Sequence, residues 1–134
     1  MITWLKAEEQ HQHKNGGGWV ANTALVENSV YIGPNARVYG NARVYGNAVV
    51  YCYARVYGDA QVSGNAWVET PLFIQGTKHG VSNSSYGKLS IGCITLTFAE
   101  WKKQYRAIGK RKGYTEKQIK EYGAIIALAT KIGK

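Results

Sequence analysis

The chain has 134 residues, 45% of them hydrophobic and 19% charged, with a formal net charge of +9. One folded unit with a tail is the expectation at this length. Cys52 and Cys93 are too few for a disulfide framework or a zinc set, and the longest apolar run, 124–129, is far too short to cross a bilayer.

Residues 1–14 are polar and include Glu8 and Glu9, so no secretory hydrophobic region is expected and the reading is a reduced, cytoplasmic protein. The charge is unevenly spread. Residues 1–75 balance Lys6, Lys14, Arg37, Arg43 and Arg55 against Glu8, Glu9, Glu27, Asp59 and Glu69, so the whole excess lies in 76–134. That excludes an acidic mimic of DNA and points to an anionic partner or ligand near the tail.

Residues 1–15 read as an N-terminal cap, with Trp4 and Leu5 placed to close the first coil of the repeat region. His11 and His13 alternate, but no third metal ligand is near them, so the segment reads as solvated and no metal site is expected.

Residues 16–76 repeat a six-residue unit, x-Ala-x-Val-x-Gly, clearest in NARVYG at 35–40 and 41–46. The Val slot is filled by Val20, Val26, Ile32, Val38, Val44, Val50, Val56, Val62, Val68 and Ile74. Ala and Val stand two apart and face the same way on a strand, while Gly-Asn tolerates the positive φ of a corner. Helical spacing is absent. Three units make an 18-residue lap, so Val20, Val38, Val56 and Ile74 form one inward column, Val26, Val44 and Val62 a second, and Ile32, Val50 and Val68 a third. Laps stack at about 4.8 Å.

The outward columns step by the same interval. Trp19, Arg37, Arg55 and Phe73 make one, beside Tyr39 and Tyr57; Leu25, Arg43 and Gln61 make another, beside Tyr45; Tyr31, Val49 and Trp67 make the third. Exposed Tyr, Trp and Arg suit a subunit interface. Stacked Arg beside stacked Tyr also suits a phosphate-bearing aromatic ligand, the Arg through paired hydrogen bonds and the Tyr through stacking.

The period is lost in 77–96, which reads as an irregular hairpin turning at Gly87. Within 89–96, Ile91, Cys93 and Thr95 alternate on one face, and Cys93 reads as a small buried hydrophobe. A Cys93–His79 nucleophile pair would lack an orienting acid. Thr97 with Glu100, and Thr115 with Gln118, are capping boxes. They predict helices from Phe98 to about Ile108 and from the second box to about Lys131. Phe98, Trp101, Tyr105 and Ile108 share one apolar face, and Ile119, Tyr122, Ile126 and Ala129 the other. The pair is expected to fold on the solenoid or on a neighbouring subunit.

These repeats resemble the hexapeptide-repeat proteins, and that resemblance implies a left-handed parallel β-helix of about three coils that forms a homo-oligomer, commonly a trimer. More narrowly, Gly17-Gly18-Trp19-Val20, the NARVYG units and Ile91-Gly92-Cys93 ahead of a helical tail resemble short solenoid proteins of phages and prophages. That resemblance motivates a non-catalytic reading, in which an anionic nucleotide-type signal is sequestered in the host cytoplasm to counter defence. Arg37, Arg55, Tyr39, Tyr57, Arg43 and Tyr45 are the ligand candidates, with His79, Lys88, Lys102 and Arg106 as further contacts. No cofactor is expected. Two alternatives stand beside it. The first is an acyl-CoA-dependent acetyltransferase with His79 as base. The second is an inhibitor that binds nucleic acid or an acidic protein through the basic tail.

Overall fold

A computed structural model describes residues 1–134. The chain divides into two units, Met1–Pro71 and Leu72–Lys134.

In the first unit a 3-10 turn (Ala7–Glu9) precedes ten short strands. These are β1 (Gln10–Gln12), β2 (Trp19–Ala21), β3 (Leu25–Val26), β4 (Tyr31–Ile32), β5 (Arg37–Val38), β6 (Arg43–Val44), β7 (Val49–Val50), β8 (Arg55–Val56), β9 (Gln61–Val62) and β10 (Ala66–Trp67). Three parallel sheets run β2-β5-β8, β3-β6-β9 and β4-β7-β10. Trp19 stands opposite Arg37 and Arg37 opposite Arg55, each 18 positions on. Val26, Val44 and Val62 follow the same rule in the second sheet, and Ile32 and Val50 in the third.

The inward reading of the Ala and Val slots holds along most of the stack. Val20, Val38, Val56, Val44, Val62, Ile32 and Val50 are buried, as are Ala36, Ala42, Ala48, Ala54 and Ala60. Each contributes on the order of 1–3 kcal/mol, offset by the entropy of ordering. Val26 is only half-buried, and Leu25 beside it is exposed. The corners need positive φ. Gly40 and Gly58 supply it at +66° and +61°, and a Cβ on Gly40 would stand 2.9 Å from the Gly58 amide nitrogen in the corner stacked on it. Cys52 takes the same conformation, at +55°, with a side chain attached.

Two expectations fail at the end of the repeat. In the third column Trp67, not Val68, stands opposite Val50. Trp67 is 2% exposed and Val68 46%. The corner between β9 and β10 is one residue shorter than those from β3 to β9, its positive φ falls on Asn65 at +66° rather than on Gly64, and the indole Nε1 donates to the Gly64 carbonyl at 2.7 Å. The shortening turns the strand by one position, which flips every side chain to the opposite face. Ala66 is accordingly exposed, and the larger indole ends the column in place of valine. The tenth unit also pairs differently, in the sheet of β12 and not in that of β5 and β8. Phe73 and Ile74 pair antiparallel with Ser82 and Val81, not in register with Arg55 and Val56.

The N-terminal segment lies antiparallel on β2, with His11 opposite Val20. Ile2 is buried, held because the Gln10 side chain accepts from the Ile2 amide at 2.7 Å and donates to the Ile2 carbonyl at 3.1 Å. Trp4, expected inside, is 65% exposed. The histidines are not free in solvent: the buried His13 ring bonds the Val30 carbonyl through Nε2 at 2.7 Å, and His11 Nδ1 lies 2.7 Å from Asn22 Oδ1.

The second unit is a four-stranded antiparallel meander followed by two helices. Its strands are β11 (Phe73–Gln75), β12 (Gly80–Ser85), β13 (Lys88–Ile91) and β14 (Ile94–Thr97). The expected turn at Gly87 joins β12 to β13, with φ of +78°. The segment 89–96 is two strands rather than one. Gly92 has φ +59° and, with Cys93, forms a two-residue turn between paired Ile91 and Ile94. Glycine at the first turn residue is what the II′ class asks for. Cys93 at this tip is exposed, which corrects the buried reading.

Helices α1 (Phe98–Arg111) and α2 (Glu116–Ile132) begin at Thr97 and Thr115, and both capping boxes form. Their apolar faces are the ones the spacing indicates: Trp101, Ile108, Ile119, Tyr122, Ile126 and Ala129 are buried. All of these except Ile119 pack with Val81, Leu89 and Ile91 of the meander in one core, and the Trp101 indole donates to the Leu89 carbonyl at 2.8 Å. Neither helix is long and apolar enough to cross a membrane.

Candidate functional site

Four of the six ligand candidates share one face of the first unit. Arg37 and Arg55 are register partners on β5 and β8, and Tyr39 and Tyr57 follow each of them by two positions on the same side. The tyrosine rings stack, with centroids 5.6 Å apart and planes 15° apart. Trp4 meets Tyr39 edge-on at 5.0 Å and lengthens the aromatic row, a role for the cap that its sequence did not indicate.

The two guanidiniums are anchored by one nitrogen each. Arg37 Nη1 donates to the Pro34 and Ala36 carbonyls at 2.8 and 2.9 Å. Arg55 Nη1 donates to the Asn35, Tyr53 and Ala54 carbonyls at 2.8, 2.9 and 3.3 Å. Neither is ion-paired; the salt bridge of this chain is Arg106–Glu116. Burial pulls Arg37 below the ordinary arginine value, and the charge of Arg55 pulls it further. Burial pushes the Tyr39 phenol up, Tyr57 adds to that, and Arg55 opposes it. The face is thus positive, partly desolvated and flat-sided. It is able to accept an anionic group and to stack a ring.

Arg43 and Tyr45 lie on and just after β6, in a different sheet, so the strand order does not join them to Arg37. They line a shallow concavity with Leu25 and Glu27. The Glu27 carboxylate accepts from the Gly46 amide at 2.7 Å.

The remaining candidates belong to the second unit and are spread over it. Lys88 opens β13, near Glu100, and Lys102 is exposed on α1. Arg106 is engaged by Glu116 at 3.1 Å. His79 is the one that lines a cavity. This space of about 130 Å³ lies among the Gly92–Cys93 turn, α1 and α2. The loop carrying His79 is fastened to α2. The Tyr122 hydroxyl accepts from the Lys78 and His79 amides at 3.0 and 2.5 Å and donates to the His79 carbonyl at 2.7 Å. Glu121 accepts from the Thr77 amide and hydroxyl at 2.8 and 2.5 Å. The His79 ring lies over Gly92 and 6.3 Å from the Tyr114 ring, and no carboxylate is bonded to it. Sequence reasoning missed this cavity because it depends on a sheet that no repeat announces; its helical wall was visible in the spacing of Ile119, Tyr122 and Ile126. No cluster of three or more His, Cys, Asp or Glu is placed to hold a metal ion.

The repeat segment of the first unit is a β-solenoid. A family model described as the YdcK Beta solenoid repeat matches residues 36–51 and 54–70, the stretch that carries Arg37, Tyr39, Arg55 and Tyr57. No curated protein and no solved structure matches the chain.

Proposed function

We propose that this is a non-catalytic, oligomeric binding protein that takes up an anionic, nucleotide-type small molecule on the Arg37–Arg55 and Tyr39–Tyr57 face. One observation carries the reading: two arginines are held in register, without a carboxylate to offset them, beside a stacked tyrosine pair. Like charges on adjacent rungs repel. A phosphate seated between them relieves that repulsion and accepts charge-assisted hydrogen bonds. A purine has the flat face that an aromatic row accommodates.

In this reading the solenoid is left-handed, with about three coils, and three copies assemble so that subunit junctions complete the site. Exposed Leu25, Tyr53 and Trp4 supply apolar surface for such junctions, and Arg43 and Tyr45 enter the site from a neighbouring copy. The protein is phage-encoded and acts in the host cytoplasm, where removing the nucleotide signal blunts a defence response.

The test is calorimetric titration with cyclic dinucleotides and ADP-ribose-type molecules, with native mass spectrometry for the subunit count. Arg55→Ala removes hydrogen bonds to a charged group, about 1.5–3 kcal/mol, so affinity should fall roughly 10- to 100-fold. No heat and no thermal shift with any of these ligands at millimolar concentration would count decisively against the reading.

A second reading draws on the charge of the other unit, where the whole excess of +9 resides and Lys102, Lys103, Lys110 and Arg111 are exposed on α1. A nucleic acid or acidic protein bound there would show affinity falling steeply with salt.

A further inference from the structure

We propose that the cavity at the Gly92–Cys93 turn is a binding site for a small carboxylic acid carrying a single aromatic ring. The inference uses only the second unit and is independent of the nucleotide reading.

Size comes first. The space is about 130 Å³, close to the roughly 150 Å³ of an apolar cavity that accepts benzene. A nucleotide is too large for it. Its walls come from Ile91, Ile94, Trp101, Ile119 and Ile126, which offer carbon rather than polar atoms. An apolar space of this size stays dry and gains dispersion contacts when a ring fills it.

Charge at the mouth selects the polar end. Lys112 lines the cavity, is exposed and has no ion-pair partner. A second cation stands near, with Lys78 Nζ 4.7 Å from the Tyr114 ring centroid. The acidic group on this side is Glu121, and Thr77 already occupies both its oxygens. The Tyr122 hydroxyl is likewise consumed by the loop that carries His79. What remains for a ligand is an apolar well whose lining includes the cationic Lys112 and the His79 ring, which is complementary to a carboxylate on a ring. Buried-ligand sites of this kind fix orientation with few polar groups; here Lys112 supplies the charge, and the His79 ring in the same lining is a second polar group.

The exposed Cys93 thiol lines the same cavity and reports on its occupancy. The experiment measures alkylation of the intact protein by iodoacetamide, site by site, by peptide mass spectrometry. Cys52, exposed in the other unit, is the internal control. Saturating benzoate should slow labelling of Cys93 at least fivefold and leave Cys52 unchanged. Benzyl alcohol should require about tenfold higher concentration, and acetate should have no effect. Lys112→Gln, an exposed change, should erase the advantage of benzoate over benzyl alcohol and leave the response to benzyl alcohol intact. Ile94→Trp, which fills the well, should abolish protection by both; its thermal melt confirms folding. Equal Cys93 rates with and without benzoate overturn the proposal. So does equal slowing of Cys52, or a benzoate response that Lys112→Gln leaves unaltered.

Discussion

Trp67→Ala and Val68→Ala together test where the repeat loses its period. A strict six-residue rule buries Val68 and exposes Trp67; the short corner after β9 does the reverse. Trp67 is 2% exposed, and truncating a buried Trp costs about 3–5 kcal/mol. The same truncation removes the bond from the indole to the Gly64 carbonyl, worth about 0.5–1.5 kcal/mol. Val68 is 46% exposed, and its truncation should cost no more than about 0.5 kcal/mol. Against a total of about 5–15 kcal/mol, the first change is a large fraction and the second is not. Urea unfolding followed by far-UV circular dichroism reads both, since tryptophan fluorescence would itself be altered by the first. The reasoning is refuted if Val68→Ala lowers the midpoint as much as Trp67→Ala does.

Other expectations rest on single contacts. Val44→Asp places a carboxylate in the second column, where nothing pairs it, and should abolish the strand signal of the first unit in circular dichroism. Cys52→Gly removes a side chain from a positive-φ corner and should stabilise the fold by up to about 1 kcal/mol after the flexibility of glycine is subtracted, read as a higher urea midpoint. Tyr122→Phe deletes the bonds holding 78–79 to α2, with a cost of about 1–3 kcal/mol and faster amide hydrogen exchange at His79. Acid should loosen the helices. The Thr97 amide and hydroxyl hold Glu100 below its ordinary 4.5, and a bond from Arg106 does the same for Glu116. The unfolded chain therefore takes up these protons first, so their contribution is complete above about 4.5 and is lost as pH falls through the depressed values. The melting temperature at 222 nm should drop over that range, and Glu100→Gln, which keeps the cap without the charge, should flatten the dependence.

The period carried most of the first unit. Alternation of Ala and Val with a glycine corner fixes which side chains turn inward, and nothing else in the lap competes with it. It failed where one corner lost a residue, a change that leaves Gly64-Asn65 looking like every other Gly-Asn pair. Phe73 and Ile74 show the same limit: their spacing fits the repeat, yet their backbone partners lie downstream, at Ser82 and Val81. The helices were legible because capping boxes and apolar spacing agree. The Arg37–Arg55 and Tyr39–Tyr57 face emerged from the 18-residue step. The cavity did not, since it is formed by residues from His79 to Ile126 that only tertiary packing brings together.

The strand register has a consequence for how such a chain can lengthen. Along the charged face each partner lies 18 positions on, so a duplication of 18 residues there adds one rung and leaves the neighbours on that face in place. It would add one arginine and one tyrosine to the charged face. A duplication of six residues, although it copies the sequence unit faithfully, would carry each later side chain a third of the way around and break up that row. Inheritance by whole laps is the only growth that conserves the face.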